Sequence, residues 1–405
     1  MIDNPLRNHK ELLKSLNRSL ILNAIKRFGP ISRADVARLL GLSPATLTSM
    51  TTHMLAEGLI YEKATGLSSG GRPPVLLALN PQGGFAVGVK LTESTVIAAL
   101  TDLEANTLAK ASLPWDGETA QSACQNIRQV IAKLVKIANI NRAQVIGLGI
   151  GLAGVVDATT GIILESPYLP WKNLDLRSEL ESRLRIPVFV DNDVNTLTLA
   201  EKWFGAGVGV KDFLVVTIGR GVGMGIVVND QLYQGRHGGA GELGHVLVDE
   251  QGPFCACGKR GCLEALISDS ALLQEAVRQY TTEIAPKTIE DLVRLAEMGD
   301  ERAKQIFAKA GKMLGKALAQ LINIFDPELI ILGGEGLRAG EIMLTPMREV
   351  VESQVVSAFV GGYRISEEAW GDDAWARGAA SLVLRELFES PVHKEENRTS
   401  LMMGH

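Results

Sequence analysis

The sequence predicts an α/β protein, a two-lobed body of alternating strands and helices preceded by an N-terminal winged helix-turn-helix. Three observations predict it. In residues 1–80, short capped helices joined by a glycine-bearing turn precede two strand-like runs. From Gly84 onward, apolar runs of strand length end in Gly- or Asp-bearing loops and alternate with helical segments. The two halves of that body each begin with strand-rich hairpin material, which suggests a duplication with a cleft between lobes, where small molecules usually bind. The expected division is 1–80 for the winged helix, 84–190 for the first lobe and 191–390 for the second, which would also carry a dimerisation surface. Residues 391–405 read as a flexible tail, polar and without a periodic apolar face.

In the N-terminal piece, Leu20, Ile21, Ala24 and Ile25 recur at helical spacing and stop at Phe28-Gly29-Pro30. Ser32 caps a second helix with Asp35 at the capping-box position, and Gly41 ends it. Ser43-Pro44 reads as the N-cap and first residue of a third helix running to Gly58. Leu59-Ile60-Tyr61 and Val75 to Leu79 then form the arms of a hairpin. In a helix-turn-helix the second helix of the pair enters the major groove of DNA. Ser43, Ala45, Thr46 and Ser49 are therefore the candidate DNA contacts on its exposed face, while Thr48, Thr52 and His53 face either solvent or the body. Arg72, set in Gly70-Gly71-Arg72-Pro73-Pro74, reads either as a guanidinium for a narrow minor groove or as the start of a stiff linker.

The body shows strand runs FAVGVKL, STVIAALTDL and TLAKASL, a helix from Ala120 to Ala138, and a buried strand QVIGLGIG. RIPVFVDND, DFLVVTIGRGVGMGIVV and PELIILGGEG repeat the form of a strand running into a loop, with helices expected over 194–204, 268–280 and 301–325. Asn192 and Asp193 stand where one such strand exits. An aspartate there can accept from a hydroxyl or act as a base, and asparagine offers both donor and acceptor. Taken alone, the same pair also suits a turn or helix cap.

The densest chemistry lies between Glu242 and Glu264. Three of the four cysteines, Cys255, Cys257 and Cys262, fall within eight positions, ten residues after His245. Three thiolates and an imidazole are the ligand set of a closed tetrahedral zinc site, and Gly258 and Gly261 allow the tight turns that let them converge. A disulfide or three buried thiols are the alternatives. Bound Zn2+ would hold the flanking Glu242 and Glu264 rigidly. Cys124 is isolated, so no disulfide framework is indicated and a reducing, cytoplasmic setting is expected.

Composition bounds the rest. A hydrophobic share of 46% with 21% charged residues suits a soluble globular protein, and no apolar run approaches bilayer length. No membrane segment and no signal peptide are expected. The net charge of -5 conceals an asymmetry: residues 1–80 carry ten Lys/Arg against five Asp/Glu, the remainder 31 against 41. A basic N-terminal piece on an acidic body fits nucleic acid as partner of the first and small-molecule or protein work for the second.

Together these residues resemble the ROK family of repressors, open reading frames and kinases of sugar metabolism. The markers are Asn192-Asp193, Glu242-x-Gly-His245, Cys255-x-Cys257-Gly-x-x-Gly-Cys262-x-Glu264, Gly219-Arg220-Gly221-Val222-Gly223 and Ile331-Leu332-Gly333-Gly334. The resemblance spans nearly the whole chain. It implies an actin-like, ATPase-type two-lobed fold and zinc bound by His245, Cys255, Cys257 and Cys262. It also implies sugar hydroxyls held by Asn192, Asp193, Glu242, His245 and Glu264. Family kinases carry Asp-x-Gly-Gly-Thr in the first hairpin to grip ATP. Here Lys90-Leu91-Thr92-Glu93-Ser94 aligns there, without the glycines and with an added negative charge. In the second loop Arg220 replaces a threonine, a change compatible with phosphate. The expectation is a sugar-responsive transcriptional repressor, not an enzyme, binding double-stranded operator DNA as a homodimer or dimer of dimers. Its effector would be a monosaccharide: xylose, glucose or an amino sugar. An ATP-dependent sugar kinase with an added N-terminal domain is the alternative.

Overall fold

The structure is a computed structural model that describes residues 5–65, 74–281 and 285–388. Arg72, the wing tip around it and the expected tail 391–405 lie outside the described residues. The N-terminal piece comprises α1 (Pro5–Phe28), β1 (Ile31–Ser32), α2 (Arg33–Leu40), α3 (Pro44–Ala56), β2 (Ile60–Thr65) and β3 (Val75–Leu79), with an antiparallel sheet ordered β1-β3-β2. The caps act as the sequence predicts. Ser32 Oγ accepts from the Asp35 amide at 3.1 Å and donates to Asp35 Oδ2 at 2.6 Å. Gly41 closes α2 in the left-handed region at φ 65°, where a side chain would be strained. Ser43 Oγ accepts from Thr46 N at 3.1 Å, and Pro44 occupies the first helical turn, where its missing N–H costs nothing. Ile21, Leu22, Ile25, Val36, Leu47, Met54 and Leu77 are buried and form the core of this piece.

The body contains two sheets of the same plan. β4 (Phe85–Leu91), β5 (Thr95–Thr101) and β6 (Thr107–Pro114) form an antiparallel meander, followed by α4 (Ala120–Ala138) and β7 (Val145–Leu152). A small sheet of β8 (Val155–Asp157), β9 (Ile162–Glu165) and β10 (Lys172–Asp175), then α5 (Leu176–Leu184), lead to β11 (Val188–Asn192). The large sheet runs β6-β5-β4-β7-β11. After α6 (Asp193–Phe204), β12 (Phe213–Ile218), β13 (Val222–Val228) and β14 (Gln231–Leu232) form the second meander. The helices α7 (Glu264–Ile267), α8 (Asp269–Gln279), α9 (Ile289–Glu297) and α10 (Glu301–Phe325) precede β15 (Leu329–Gly333). The chain ends with α11 (Glu341–Gln354), β16 (Arg364–Glu368) and α12 (Asp372–Phe388). The second sheet runs β14-β13-β12-β15-β16, with β15 and β16 parallel to β12. In both sheets the order is third, second, first, fourth, fifth strand, which is the duplication the hairpins suggested.

Contacts divide the chain differently from the expected boundaries. One compact unit comprises Met1–Ile150, Arg177–Phe189 and Ala379–His405, the other Gly151–Leu176 and Val190–Gly378. The N-terminal piece thus shares a unit with the first meander, and the second half of α12 returns to that same unit. The reason is steric and visible at β7. A Cβ on Gly149 would lie 1.8 Å from the Ala379 carbonyl oxygen, and one on Gly147 would lie 2.8 Å from Val383 Cγ1. Only glycines let α12 pack this closely. At the far end of α12, the Asn23 amide of α1 donates to the Phe388 carbonyl and Lys26 Nζ sits 4.8 Å from the Phe388 ring centroid. Periodicity assigns residues to elements but not to units, so a helix that closes back onto an earlier sheet escapes it. Among the described residues, no helix is long and apolar enough to cross a membrane.

Candidate sugar and metal site

Asn192, Asp193, Glu242, His245 and Glu264 all lie in the second unit. Asn192 ends β11 and caps α6: its Oδ1 accepts from Val194 N at 2.8 Å and Asn195 N at 3.3 Å. Its Nδ2 donates to Gly154 O at 2.9 Å. Both acceptor lone pairs and one amide hydrogen are therefore engaged, leaving one N–H for a ligand. The helix cap therefore leaves a donor on the same side chain. Asp193 opens α6, where the helix dipole favours its negative charge, and its Oδ1 receives Val194 N at 3.0 Å.

The loop from β14 to Glu242 is made of glycines in the left-handed region: Gly235 at φ 70°, Gly238 at 76° and Gly241 at 95°. A Cβ on Gly238 would lie 1.8 Å from Val156 O, and one on Gly241 would lie 1.9 Å from Met224 O. These positions tolerate no side chain, so the loop lies flat against β8 and β13 and delivers Glu242 at its end. Glu242 makes no capping hydrogen bond in the short 3-10 turn Leu243–His245 that follows. Desolvation pushes its carboxyl above the ordinary value; His245 opposes that shift and the nearby Glu264 adds to it. Glu264, the first residue of α7, accepts Val222 N at 3.1 Å through Oε2. A Cβ on Gly221 would lie 2.9 Å from that oxygen and 3.5 Å from Tyr168 Oη, so the glycine brings Glu264 and Tyr168 together at the loop. Arg220 stacks on the Tyr168 ring at 4.6 Å.

His245 joins this polar set to the cysteines. Its Nε2 lies 3.8 Å from Glu242 Oε2, while its Nδ1 lies 3.6 Å from Cys255 Sγ. One ring nitrogen therefore faces the carboxylate and the other the thiols. Cys257 and Cys262 place their sulfurs 3.7 Å apart, and the four ligand atoms of His245, Cys255, Cys257 and Cys262 all fall within 4.8 Å of one another. A disulfide is excluded at that separation, since a bond needs about 2.05 Å, and all four cysteines are free. Two thiolates at about 2.3 Å from a tetrahedral ion would sit roughly 3.8 Å apart, so the cluster could hold a metal ion of that size. The loop is shaped by Gly258 at φ 85° and Gly261 at φ 72°, with Cys255 N donating to Lys259 O at 2.8 Å and Gly261 N to Pro253 O at 2.8 Å.

The two loops that would face a nucleotide are closed by their own residues. In the turn between β4 and β5, Ser94 N and Thr95 N both donate to Thr92 Oγ1, at 3.4 and 3.0 Å. Trp115 Nε1 donates to Thr92 O at 2.7 Å, and a Cβ on Gly117 would lie 2.3 Å from Glu93 O. Amides that a phosphate loop leaves open are used inside this turn, and its carbonyls are covered. In the separate Gly219-Arg220-Gly221 loop, the Glu335 carboxylate lies against Gly219, where a Cβ would be 2.6 Å from Oε2. A fixed anion there opposes phosphate.

In the N-terminal piece, α3 buries Leu47, Met50, Thr51 and Met54, while Ala45, Ser49 and the N-cap Ser43 are exposed. Thr46 is half-buried, and its hydroxyl is paired with Ser43 Oγ at 2.8 Å. It belongs to the cap more than to the open face. Thr48, Thr52 and His53 are exposed, so the outward face is wider than the sequence alone decided. Burial of Thr51 by its hydrogen bond to Leu47 O at 2.9 Å fixes that rotation.

A sequence profile of the ROK family matches residues 86–386. The chain belongs to the ROK family. The xylose repressor of Caldicellulosiruptor bescii is 31% identical over 400 residues, covering 95% of this chain and 99% of the relative. Among solved structures, a ROK family transcriptional regulator described as a homologue of the E. coli MLC protein superposes with a TM-score of 0.84 and 29% identity, covering 95% of this chain and 99% of its own. A ROK glucokinase from Streptomyces griseus, solved with glucose and AMPPNP, is 29% identical with a TM-score of 0.64, covering 74% of this chain and 99% of its own. The body therefore has the actin-like ATPase-type fold of ROK proteins, and the likeness to the regulator covers 95% of the chain against 74% for the glucokinase.

Proposed function

We propose that this chain is a sugar-responsive transcriptional repressor. It binds operator DNA through its winged helix, and a monosaccharide held by the kinase-like body modulates that binding. The observation that carries this reading is the contrast between two sites. Glu242, His245 and Glu264 lie near one another beside the cysteine cluster, and Asn192 keeps one amide hydrogen beside Gly154, whereas the first hairpin turn uses its amides internally. Relatives named as repressors support it, since the xylose repressor aligns over 95% of this chain whereas the glucokinase match covers 74%. Sugar hydroxyls are the ligands this set suits, because carboxylates and an amide accept and donate without needing a charged partner. Xylose, glucose and amino sugars are the candidate effectors. The reading places the chain in the cytoplasm, with its DNA.

Zinc is the metal whose chemistry fits His245, Cys255, Cys257 and Cys262, by softness of ligand and by tetrahedral spacing. When bound it would fix the loop that carries Cys255 to Cys262 and orient the His245 ring. A homodimer, or a dimer of dimers, would place two winged helices on a palindromic operator with half-sites spaced by helical turns. In this reading, Ser43, Ala45, Thr46, Ser49 and Arg72 contact DNA, joined by Thr48, Thr52 and His53. Sugar lowers operator affinity only to the extent that it binds the two conformations with different free energy.

Two experiments address this reading. Ser49→Glu sets a negative charge on the exposed face of α3 and is expected to lower operator affinity at least tenfold, through repulsion from phosphate and loss of base-edge contact. Its melting temperature should stay within about 1 °C, since a surface substitution is worth at most ~0.5 kcal/mol. Undiminished DNA binding would remove α3 from the interface. Second, a thermal-shift series with free and 6-phosphorylated monosaccharides, with and without ATP, should show stabilisation of roughly 2.7 kcal/mol for an effector at a hundred times its dissociation constant. Stabilisation by ATP alone would favour a kinase.

A further inference from the structure

Asp191 is fully buried, with none of its surface exposed, immediately before Asn192-Asp193. A carboxylate at that depth is costly unless its oxygens are satisfied. Here Oδ1 accepts Asn192 N at 2.7 Å and Asn195 Nδ2 at 3.0 Å. Oδ2 accepts Gln234 Nε2 at 2.7 Å, from a residue 43 positions away. Gln234 in turn holds the glycine loop, its carbonyl accepting Ala240 N at 3.1 Å. Gly241 then accepts both Met224 N at 3.1 Å and Leu243 N at 2.7 Å, on either side of Glu242. One buried carboxylate thus ties the strand end that presents Asn192 and Asp193 to the loop that presents Glu242.

We infer that Asp191 and Gln234 form a positioning strut that sets the spacing between the Asn192–Asp193 pair and Glu242. Neither residue needs to touch the sugar. The strut acts by fixing the Gly235–Gly241 loop, whose φ-positive glycines leave its backbone more conformations than other residues would. A buried group engaged on both sides of a site gives rigidity that the loop lacks. The inference rests on the sugar-site reading above, in that the spacing matters for a ligand held by both arms.

The test exchanges the polarity of the pair in the full-length, metal-loaded protein at pH 8. Gln234→Glu sets two carboxylates against each other. The double variant Asp191→Asn with Gln234→Glu restores one donor facing one acceptor in the same shape, because Asn Nδ2 can donate to the new carboxylate. Two readouts are taken: the dissociation constant for D-xylose, D-glucose or N-acetylglucosamine 6-phosphate, whichever stabilises the wild type, and hydrogen exchange at the Ala240 amide. The single variant should weaken sugar binding about tenfold and speed exchange at Ala240, and the double variant should return both to within about twofold of wild type. A single variant that matches the wild type, or a double variant no better than the single, overturns the strut. If no sugar binds the wild type, the sugar reading fails on that result. The strut is then judged by exchange at Ala240 alone, where unchanged protection in Gln234→Glu overturns it.

Discussion

Cys262→Ser is expected to cost about 4 kcal/mol or more in the second unit, the range seen when a structural metal or another major constraint is lost. For a unit of this size that lowers its melting transition by roughly 8–16 °C. The reason lies in what else holds the cysteine loop. Phe254 is 77% exposed, Leu247 is 53% exposed, and the loop is closed by hydrogen bonds, among them two isolated bridges, Leu247 with Cys262 and Phe254 with Arg260. Little apolar burial is available to fix these residues, so a bound ion would supply the constraint. Cys262 itself is buried, and burial pushes its thiol up to about 12, so without a metal it contributes a neutral, weakly bonded group. Chelation of the wild type should reproduce the loss, and zinc should reverse it. Metal analysis of the purified protein should find one zinc per chain, falling below a tenth in Cys262→Ser. An unaltered melting curve together with metal-free wild type would leave the cluster as free thiols.

Asp193→Asn is expected to weaken sugar binding by roughly 10- to 100-fold, because a hydrogen bond to a charged group is worth ~1.5–3 kcal/mol. Asp193 stands in the first turn of α6, beside Asn192, which caps that helix. The substitution keeps the shape and removes the charge. Helix stability should fall only slightly, by about 0.5 kcal/mol, for the lost interaction with the helix dipole. Operator affinity in the absence of sugar should stay within twofold of wild type, since the change lies in the second unit and the winged helix in the first. Titration of sugar by calorimetry and of DNA by fluorescence anisotropy separates the two effects. Equal sugar affinity in wild type and variant would remove Asp193 from the ligand set.

Much of this was legible in the sequence because the signals were local. Ser32, Ser43 and Gly41 each announce a helix end within four residues, and the structure has caps at all three. The Cys255–Cys262 spacing implies convergence on one point, and the four ligand atoms do converge. What stayed hidden depends on long-range closure. The return of α12 onto β7 is set by Gly147 and Gly149 more than two hundred residues earlier, and no periodicity reports it. The Asp191–Gln234 pair spans two motifs with no fixed spacing between them. Asn192 gave a signal with two meanings, helix cap and ligand, and the structure shows the cap. The exposure of Thr48, Thr52 and His53 depended on the rotation of α3 about its axis, which Thr51 settles by turning inward.

The most direct test of the account is linkage between sugar and DNA in one titration. A duplex selected from random sequence by the purified protein would be bound at fixed concentration, then titrated with xylose, glucose and N-acetylglucosamine 6-phosphate while anisotropy is followed. The account predicts that one sugar changes DNA affinity by about 5- to 150-fold, a coupling of roughly 1–3 kcal/mol, and that DNA changes the affinity for that sugar by the same factor. A sugar that binds the body yet leaves DNA affinity unchanged would contradict it.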